Sequence, residues 1–212
     1  GVWSSDLFRT RTTARAVYCP KNLPLRTHPG LREMNLGDWE DMTFGFGRHN
    51  WPEELARFNA TDPDWAAPNG EGFYQLGDRM ERAVREIALA HPGQTVALFS
   101  HGTAIRQFLA RAGRIPPEEW GGQPHSENTA VTCLAFNGED FSLVYQSDSS
   151  HVPEELATLG KQQWWRKSGK AEDVNLWYSP LDPARDWDLY LEARREAWVT
   201  THGPDVPFDG DG

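Results

Sequence analysis

One stretch, residues 95–113, constrains the fold of this chain more than any other. It opens with the apolar run 96–99, which is short enough to be a buried strand, and then turns sharply through Ser-His-Gly. Residues 103–112 place apolar side chains at the spacing of one helical face, and Gly113 follows where a helix C-cap is expected. The stretch therefore predicts a strand, a tight turn and a helix.

This turn places His101 at the carboxyl end of the strand and at the beginning of the helix. Open α/β sheets bind ligands at that edge, and a helix N-terminus offers unpaired N–H groups and the positive end of its dipole. An anion suits such a place, and the amide of Gly102 is one donor for it. A histidine there can move protons or carry a phosphoryl group. The alternative is that His101 merely caps the helix.

Composition limits the partners that such a site can serve. The chain has 212 residues, which suits one domain or one domain and a fragment of another. Its net charge of −10 argues against unspecific binding to nucleic acid or to an anionic membrane. No apolar run approaches the ~18 residues of a membrane span, and no signal peptide is evident. Cys19 and Cys133 lie far apart and indicate thiols in a reducing cytosol, so a cytoplasmic protein is expected.

The order of the predicted elements indicates the fold class. A strand at 2–3 runs into a helix at 6–18, and a long helix at 73–90 precedes the strand–histidine–helix unit. Strands at 129–137 and 141–146 flank an Asn-Gly hairpin turn. Together these predict an α/β fold of three layers, a mostly parallel sheet flanked by helices, with the hairpin as an antiparallel edge strand.

Local composition predicts the remaining segments. Ser4 or Ser5 is expected to cap the first helix. The glycine-rich residues 43–47 are expected to be flexible, and residues 153–166 to be helical. The tail from residue 203 is rich in Pro, Gly and Asp, which favours disorder.

Three further side chains are candidates for chemistry beside His101. Arg9 lies in the first turns of a helix that follows a strand, as His101 does, and its planar fork suits phosphate oxygens. Glu33 has apolar neighbours, and half-burial of a carboxyl raises its pKa and suits it to protonate a leaving alkoxide. Asn128 precedes a strand and can donate to the same phosphate oxygens. The plainer alternatives are a surface arginine, a loop glutamate in a salt bridge, and a turn cap.

The sequence implies neither a metal nor a cofactor. It has no zinc-type spacing of Cys or His, and no glycine-rich phosphate loop followed by Lys-Ser or Lys-Thr. The run His-Ser-Glu at 125–127 does not form a hydrolytic triad, because three adjacent residues cannot reach the necessary geometry.

Five short motifs resemble, in their order, those of the histidine phosphatase (phosphoglycerate-mutase-like) superfamily. The first two are Ser-Ser-Asp-Leu-Phe-Arg-Thr-Arg-Thr-Thr-Ala at 4–14 and Leu-Arg-Glu-Met-Asn-Leu-Gly-Asp-Trp-Glu at 31–40. The others are Asn-Gly-Glu-Gly at 69–72, Val-Ala-Leu-Phe-Ser-His-Gly-Thr at 96–103 and Asn-Thr-Ala-Val at 128–131. Each is modest alone, but five in the right order make chance improbable.

The resemblance implies a phosphohistidine mechanism that needs no metal. In this family a first histidine, inside an Arg-His-Gly motif, is phosphorylated. His101 matches the second histidine, which helps to hold the phosphoryl group. Arg9 matches a phosphate-binding arginine, and Glu33 matches the proton donor. The partner is then expected to be a small phosphorylated substrate, with Gly102 and Asn128 as further donors to its phosphate.

The Arg-His-Gly motif itself is the main departure from the family. It is expected well upstream of Ser4, outside this sequence. The pair Arg48-His49 lacks a preceding apolar strand and a following glycine, and it lies on the wrong side of the acid-bearing loop, so we interpret it as a coincidence. We therefore expect this chain to be a fragment that has little or no activity alone, whereas its full-length parent is a phosphatase.

The domain organisation is predicted in three parts. Residues 1–150 form the phosphatase-like domain, residues 151–172 a linker or helix, and residues 173–212 a C-terminal extension. The segment 173–198 resembles the opening strand and helix of a GNAT-type acetyltransferase domain, although the glycine-rich turn that binds acetyl-CoA is absent. The alternative is a helical extension that packs on the phosphatase core.

Three functions stay open from the sequence. The first is a phosphomonoester hydrolase, the second a noncatalytic phosphate-binding or interaction module, and the third part of a bifunctional phosphatase and acetyltransferase. Substrate specificity is expected to lie in the insertion 41–72. Its aromatic residues are expected to form either a substrate pocket or a small core of their own, and they are Phe44, Trp51, Phe58 and Trp65.

Overall fold

The computed structural model describes residues 1–42 and 44–159. Its helices are α1 (Phe8–Tyr18), α2 (Phe44–Asn50), α3 (Pro52–Asn59), α4 (Phe73–Leu89) and α5 (Gly102–Ala112). Its strands are β1 (Val2–Ser4), β2 (Leu25–Thr27), β3 (Ala97–Phe99), β4 (Val131–Phe136) and β5 (Phe141–Asp148). Short 3₁₀ turns lie at Pro29–Leu31, Gly37–Trp39 and Pro117–Gly122.

A parallel sheet in the order β2-β1-β3, flanked by helices, forms the centre of the fold and confirms the predicted α/β class. Val2 lies opposite Leu25 on one side and Ala97 on the other. Because all three strands run in one direction, their carboxyl ends share one edge. The chain leaves β1 and β3 at that edge, where the amide of Ser5 still donates to the carbonyl of Phe99 at 2.9 Å.

The hydrophobic core lies between α4, α5 and the segments packed on them. The helical spacing of α4 predicts an inward-facing set, of which five members are buried: Leu76, Met80, Ala83, Val84 and Ile87. The sixth predicted member, Ala90, is the exposed C-cap residue. Trp120 from the third 3₁₀ turn is also buried and donates to the carbonyl of Ile115. Burial of these side chains is the main force holding the two helices together.

Aromatic residues of the insertion form a core with its neighbours. Trp65 is 1 % exposed, and its ring lies 5.0 Å from Phe58 and 5.2 Å from Trp39. Trp51 stacks on Trp39 at 5.8 Å. Of the two sequence alternatives, a pocket or a small core, the described aromatic residues support the core.

The prediction of a flexible segment at 43–47 was wrong for its described part. Residues from Phe44 onward belong to α2, and Pro52 then begins α3 after a sharp turn at Trp51. The ring of Phe46 meets Trp51 edge to face at 5.4 Å. This contact supplies packing that offsets part of the low helix propensity of the two glycines in α2.

The hairpin occurs where it was predicted, but its predicted place in the main sheet was wrong. Among the described strands, β4 and β5 form a two-stranded antiparallel sheet of their own. Asn137 shapes the turn by accepting from the amides of Glu139 and Asp140, both at 2.8 Å. The hairpin is held by side-chain packing on α5, where the rings of Phe141 and Phe108 lie 5.3 Å apart, and not by hydrogen bonds to the main sheet.

Three local predictions also need correction. Leu7, and not Ser4 or Ser5, is the N-cap residue of α1. The strand predicted to be buried is β3, and its residues are only half-buried, since β3 pairs with β1 alone among the described strands. The described part of the helix predicted at 153–166 forms turns. Residues 160–212, with the acetyltransferase-like segment, lie outside the described residues.

None of the described helices is both long and apolar enough to cross a membrane. In the same part of the chain, no group of three or more His, Cys, Asp or Glu side chains is arranged to hold a metal ion.

Candidate active site

The structure brings Arg9, Glu33 and His101 together at the carboxyl edge of the sheet. Arg9 extends from the first turn of α1, and its Nε–H donates to Nδ1 of His101 at 3.1 Å. The carboxyl of Glu33 accepts from the amides of Thr103 and Ala104, at 3.1 and 2.9 Å. These amides belong to the first turn of α5, directly after His101. A cation, an imidazole and a carboxyl therefore converge at one helix N-terminus.

The carboxyl of Glu33 accepts hydrogen bonds from the N-terminal amides of α5, which the sequence analysis predicted to bind an anionic ligand. Its Oε1 also accepts from the amide of Met34 at 3.0 Å. Burial raises the pKa of Glu33, and the three amides lower it by a smaller amount, so the net shift is upward. Gly102 is exposed, and nothing lies within 4 Å of the position that a Cβ would take there. An anion can thus still approach the backbone at Gly102.

His101 is held as a neutral ring. It is only 7 % exposed, and its Nε2 lies 2.8 Å from Oγ of Ser5. Burial, followed by the positive charges of Arg9 and Arg79, lowers its pKa to about 3. Asp6 acts in the opposite direction but does not compensate. Both ring nitrogens are engaged in hydrogen bonds, so the imidazole is fixed in orientation.

We expect His101 to stay essentially unprotonated from neutral pH down to about two pH units above its lowered pKa of about 3. Unfolding restores a pKa of about 6.5, so this residue contributes stability above that value, and the contribution is lost as pH falls toward the folded pKa. ¹H–¹⁵N spectra of the imidazole nitrogens, recorded across this pH range, measure the protonation state directly. A His101 signal that titrates near neutral pH would contradict the expectation.

Arg79 fixes the loop that carries Glu33, and the sequence reasoning missed it. Its Nε and one terminal nitrogen both donate to the Glu71 carboxylate at 2.7 Å. Its terminal nitrogens also donate to the carbonyls of Gly30, Arg32 and Glu33, at 2.9, 3.0 and 3.1 Å. The only sequence signal for this role was a Gly-Glu pair at 70–71 that precedes a helix with an arginine in its second turn. This signal is weak, because it does not show that the arginine and the Glu33 loop are in contact.

Two further hydrogen-bonded links hold the same loop against the strand ends. Ser100, the residue before the histidine, donates from Oγ to the carbonyl of Leu31 at 2.8 Å. Arg32 forms a two-pronged pair with the Asp6 carboxylate, at 2.7 and 2.6 Å. The Glu33 loop is therefore anchored to the residues that follow both β1 and β3.

Asn128 lies apart from this cluster in its contacts. Its side-chain amide donates to Oγ of Thr158 at 3.2 Å. The neighbouring Glu127 carboxylate accepts from the amides of Thr158 and Leu159, at 2.9 and 2.8 Å, and from the hydroxyl of Thr158. The two residues thus tie down the segment that follows β5, and the structure shows Asn128 bonded there and not to Arg9, Glu33 or His101.

We expect Glu127→Ala to release the segment 149–159. Burial alone raises the pKa of Glu127, but the hydrogen bonds from Thr158 and Leu159 lower it to about 2, so the tie is strongest for the carboxylate. Its contribution to stability is present above the ordinary carboxyl pKa and is lost as pH falls toward about 2. Limited proteolysis should cut Glu127→Ala in this segment faster than it cuts the exposed control Glu154→Ala. Equal rates for the two variants would show that the tie is unimportant.

Comparison with known proteins decides the family. The sequence profile of the histidine phosphatase superfamily (branch 1) matches residues 1–149. The chain belongs to the histidine phosphatase superfamily. Among solved structures, this chain is similar to Bacillus stearothermophilus YhfR, with a TM-score of 0.68 and 28 % identity over 72 % of this chain and 76 % of that one.

Two curated relatives of this chain are named as phosphatases of different small molecules. The metal-independent phosphoserine phosphatase of Arabidopsis thaliana is 32 % identical over 156 residues, which cover 71 % of this chain and 62 % of the relative. The adenosylcobalamin/alpha-ribazole phosphatase of Escherichia coli K12 is 33 % identical over 120 residues, or 55 % of this chain and 58 % of the relative. The chain thus spans about three-fifths of the length of these two relatives.

A mycobacterial glucosyl-3-phosphoglycerate phosphatase, solved in complex with inorganic phosphate, gives a further structural comparison. It has a TM-score of 0.65 and 26 % identity, over 72 % of this chain and 78 % of that one. The fold of the histidine phosphatase chain thus matches that of a protein that binds phosphate.

Proposed function

We propose that the whole protein is a phosphomonoester hydrolase that acts through a phosphohistidine on a small phosphorylated substrate. One observation carries the proposal: an exposed arginine, a neutral buried histidine and a carboxyl of raised pKa meet at the start of α5. An arginine and a backbone amide suit phosphate oxygens, and a carboxylic acid suits the leaving oxygen. The phosphatase relatives support the same class of reaction.

The proposed reaction has two steps. A histidine nitrogen attacks phosphorus, the bond to the substrate oxygen breaks, and protonated Glu33 gives its proton to that oxygen. Water then attacks the phosphohistidine, Glu33 takes the proton of the water, and the nitrogen–phosphorus bond breaks. Arg9, His101 and the Gly102 amide stabilise the phosphoryl oxygens in both steps. Asn128 joins them only if its side chain leaves Thr158.

In this proposal the nucleophile is the histidine of the Arg-His-Gly segment that the family resemblance implies. His101 suits a supporting role instead, because its ring is buried and its Nε2 is hydrogen-bonded to Ser5. His49 lies exposed near the end of α2, away from a strand end. Among the described strands, β3 pairs only with β1, so its other edge can accept a strand that brings the nucleophile.

Phosphate release tests the proposal. A protein that carries an upstream Arg-His-Gly segment joined to this chain should hydrolyse phosphoserine or a similar monoester, whereas the present chain should not. A ³²P-labelled, acid-labile and base-stable protein adduct should form during turnover and disappear when the upstream histidine is changed to alanine. An extended protein that folds but releases no phosphate would contradict the proposal.

A noncatalytic phosphate-binding role is the second candidate, and it is favoured by the open approach to Gly102 beside exposed Arg9. We expect the present chain to bind inorganic phosphate, and Arg9→Met to weaken binding about tenfold, the loss of one charge-assisted contact. Isothermal titration calorimetry measures this, with Arg11→Met on the same helix as the matched control. Equal affinities for both variants would remove Arg9 from the phosphate site.

Two predictions concern parts of the protein that the site does not include. The acetyltransferase likeness of residues 173–198 is tested by acetyl-CoA binding to a chain extended beyond residue 212. The cytoplasmic location proposed from the cysteines fits their free thiols in the structure, and localisation of the tagged full-length protein tests it.

A further inference from the structure

Ser5 and Thr10 form a chain of hydrogen bonds behind His101. Oγ of Ser5 lies 2.8 Å from Nε2 of His101 and 2.7 Å from Oγ1 of Thr10. All three residues are buried, with at most 7 % of any of them exposed. A buried polar chain of this kind costs stability unless every donor meets an acceptor, so the direction of each bond can be worked out from its two ends.

The hydrogen bonds of Thr10 fix the donor and the acceptor in this series of hydrogen bonds. Oγ1 of Thr10 has carbonyl oxygens within reach, from Leu7 at 3.0 Å and from Ser5 at 3.3 Å. A carbonyl only accepts, so the single proton of Thr10 goes to it. Thr10 must then accept the proton of Ser5, and Ser5 in turn accepts a proton from Nε2 of His101.

The near end gives the same answer independently. Nε of Arg9 is always a donor, and it lies 3.1 Å from Nδ1 of His101. Nδ1 must therefore carry a lone pair, and the proton of the neutral ring sits on Nε2. The hydrogen bonds of Thr10 and of Arg9 thus indicate the same tautomer of His101.

We propose that Ser5 and Thr10 are positioning residues that lock His101 as the Nε2–H tautomer, so that a bound phosphate dianion draws one proton onto Nδ1. The inference rests on the proposed function in one respect, namely that phosphate binds beside Arg9 and His101. Arg9 then turns its guanidinium toward the anion, and Nδ1 faces an oxygen that also lacks a proton. A hydrogen bond between Nδ1 and the phosphate oxygen needs a proton from solvent, because the hydrogen bond to Ser5 holds the existing ring proton on Nε2.

The charges around His101 are consistent with this uptake. Burial opposes protonation of His101 most strongly and lowers its pKa, the positive charges of Arg9 and Arg79 oppose it further, and Asp6 favours it. Glu33 adds little negative charge while it is protonated. A dianion beside Nδ1 offsets the two arginines and pairs directly with the positive charge that burial disfavours, so the ring is easier to protonate when the ligand is bound.

The tautomer is measured first, in the ligand-free chain labelled with ¹⁵N. Nε2 should show the shift of a protonated nitrogen, and Nδ1 that of an unprotonated one. The reverse pattern would overturn the proposal outright. This measurement does not depend on catalysis. If the expected tautomer is found but the extended protein has no phosphatase activity, the proposed function is contradicted and the tautomer assignment is not.

Proton uptake is measured next by calorimetry, in buffers of different ionisation enthalpy. Sulfate is the probe, because it remains a dianion near neutral pH. The wild-type chain should take up about one proton per sulfate, whereas Ser5→Ala should take up almost none, because its ring can move the proton from Nε2 to Nδ1. The same uptake in Ser5→Ala as in the wild type would overturn the role of Ser5. Failure of the wild type to bind sulfate would overturn the uptake step.

The chain offers a matched control for the serine. Ser4 is also fully buried, but its Oγ has no hydrogen-bond partner among the described residues, so Ser4→Ala should keep the wild-type tautomer and uptake. Thr10→Val gives a second variant in case Ser5→Ala folds poorly, and it should lose uptake because Ser5 can then donate to Nε2. Thr10→Ser should restore it. Full uptake in Thr10→Val would place the lock elsewhere.

Discussion

Glu33→Gln is expected to lower kcat by about 10²–10⁴-fold in a protein that carries the Arg-His-Gly segment, which is the usual contribution of a general acid. The loss should depend on the leaving group. A nitrophenolate leaves without a proton, so p-nitrophenyl phosphate should suffer far less than phosphoserine. A purely structural role for Glu33 would lower both rates by the same factor, and that outcome would contradict the proton-donor assignment.

The raised pKa of Glu33 also predicts a pH profile. The first step needs the protonated acid, so it should slow as pH rises through the folded-state pKa. Stability follows the same sign: the contribution of the neutral group is complete below the ordinary carboxyl pKa and is lost as pH rises through the raised one. Both dependences should disappear in Glu33→Gln, which has no carboxyl to titrate at this position.

Glu40→Gln is the matched control for this variant. Glu40 belongs to the same acid-bearing loop, where its carboxylate accepts from the amide of Leu36 at 2.8 Å, but it is exposed to solvent. We expect it to keep the leaving-group dependence and the pH profile of the unmodified protein. A comparable loss in both variants would indicate general damage to the loop.

Arg79→Met is expected to lower the free energy of unfolding by about 3–5 kcal/mol, the usual cost of removing one partner from a largely buried ion pair. The side chains of Arg79 and Glu71 are only 21 % and 20 % exposed. Without the guanidinium, the Glu71 carboxylate keeps the amide of Asn35 but loses both donors of Arg79, and three carbonyls of the Glu33 loop lose the donor that Arg79 supplies. Urea denaturation followed by tryptophan fluorescence measures the change.

Arg82→Met gives the control for the arginine. Arg82 lies one turn further along α4 and is exposed, so its loss should change stability by no more than ~0.5 kcal/mol. If Arg79→Met is equally mild, Arg79 does not hold the loop. Arg79→Lys should recover little, since an ammonium cannot reproduce the planar fork that spans the carboxylate and the carbonyls.

Local pattern in the sequence was sufficient for much of the fold. The apolar spacing in α4 and the strand–histidine–helix unit predicted elements that the structure contains, because hydrophobic periodicity is a local property. The approach of Arg9 to His101 followed from a general rule, since both residues lie just after parallel strands and such strands end at one edge. The hairpin turn was evident for a similar reason, as Asn137 and Gly138 suit a tight turn by themselves.

The partners of the site residues could not be predicted in this way. Glu33 and the two amides of α5 that bind it are 70 and 71 positions apart in the sequence. Hydrophobic periodicity does not indicate which anionic group binds a helix N-terminus. Asn128 was assigned to phosphate by its place before a strand, whereas the structure bonds it to Thr158. The prediction that the hairpin joins the main sheet was wrong for a similar reason. Which strands pair depends on the packing of distant segments, and local sequence does not report it.

By itself the sequence determined the α/β class, the edge at which Arg9 and His101 meet, and the residue types suited to phosphoryl chemistry. Only the tertiary structure decided which hydrogen bonds those residues make: Glu33 on the first turn of α5, Arg79 around its loop, and Ser5 and Thr10 behind the imidazole. The physical reason is that a hydrogen bond needs its partner within about 3 Å and in the right direction. Local pattern places residues on elements, but packing of those elements sets distances between side chains.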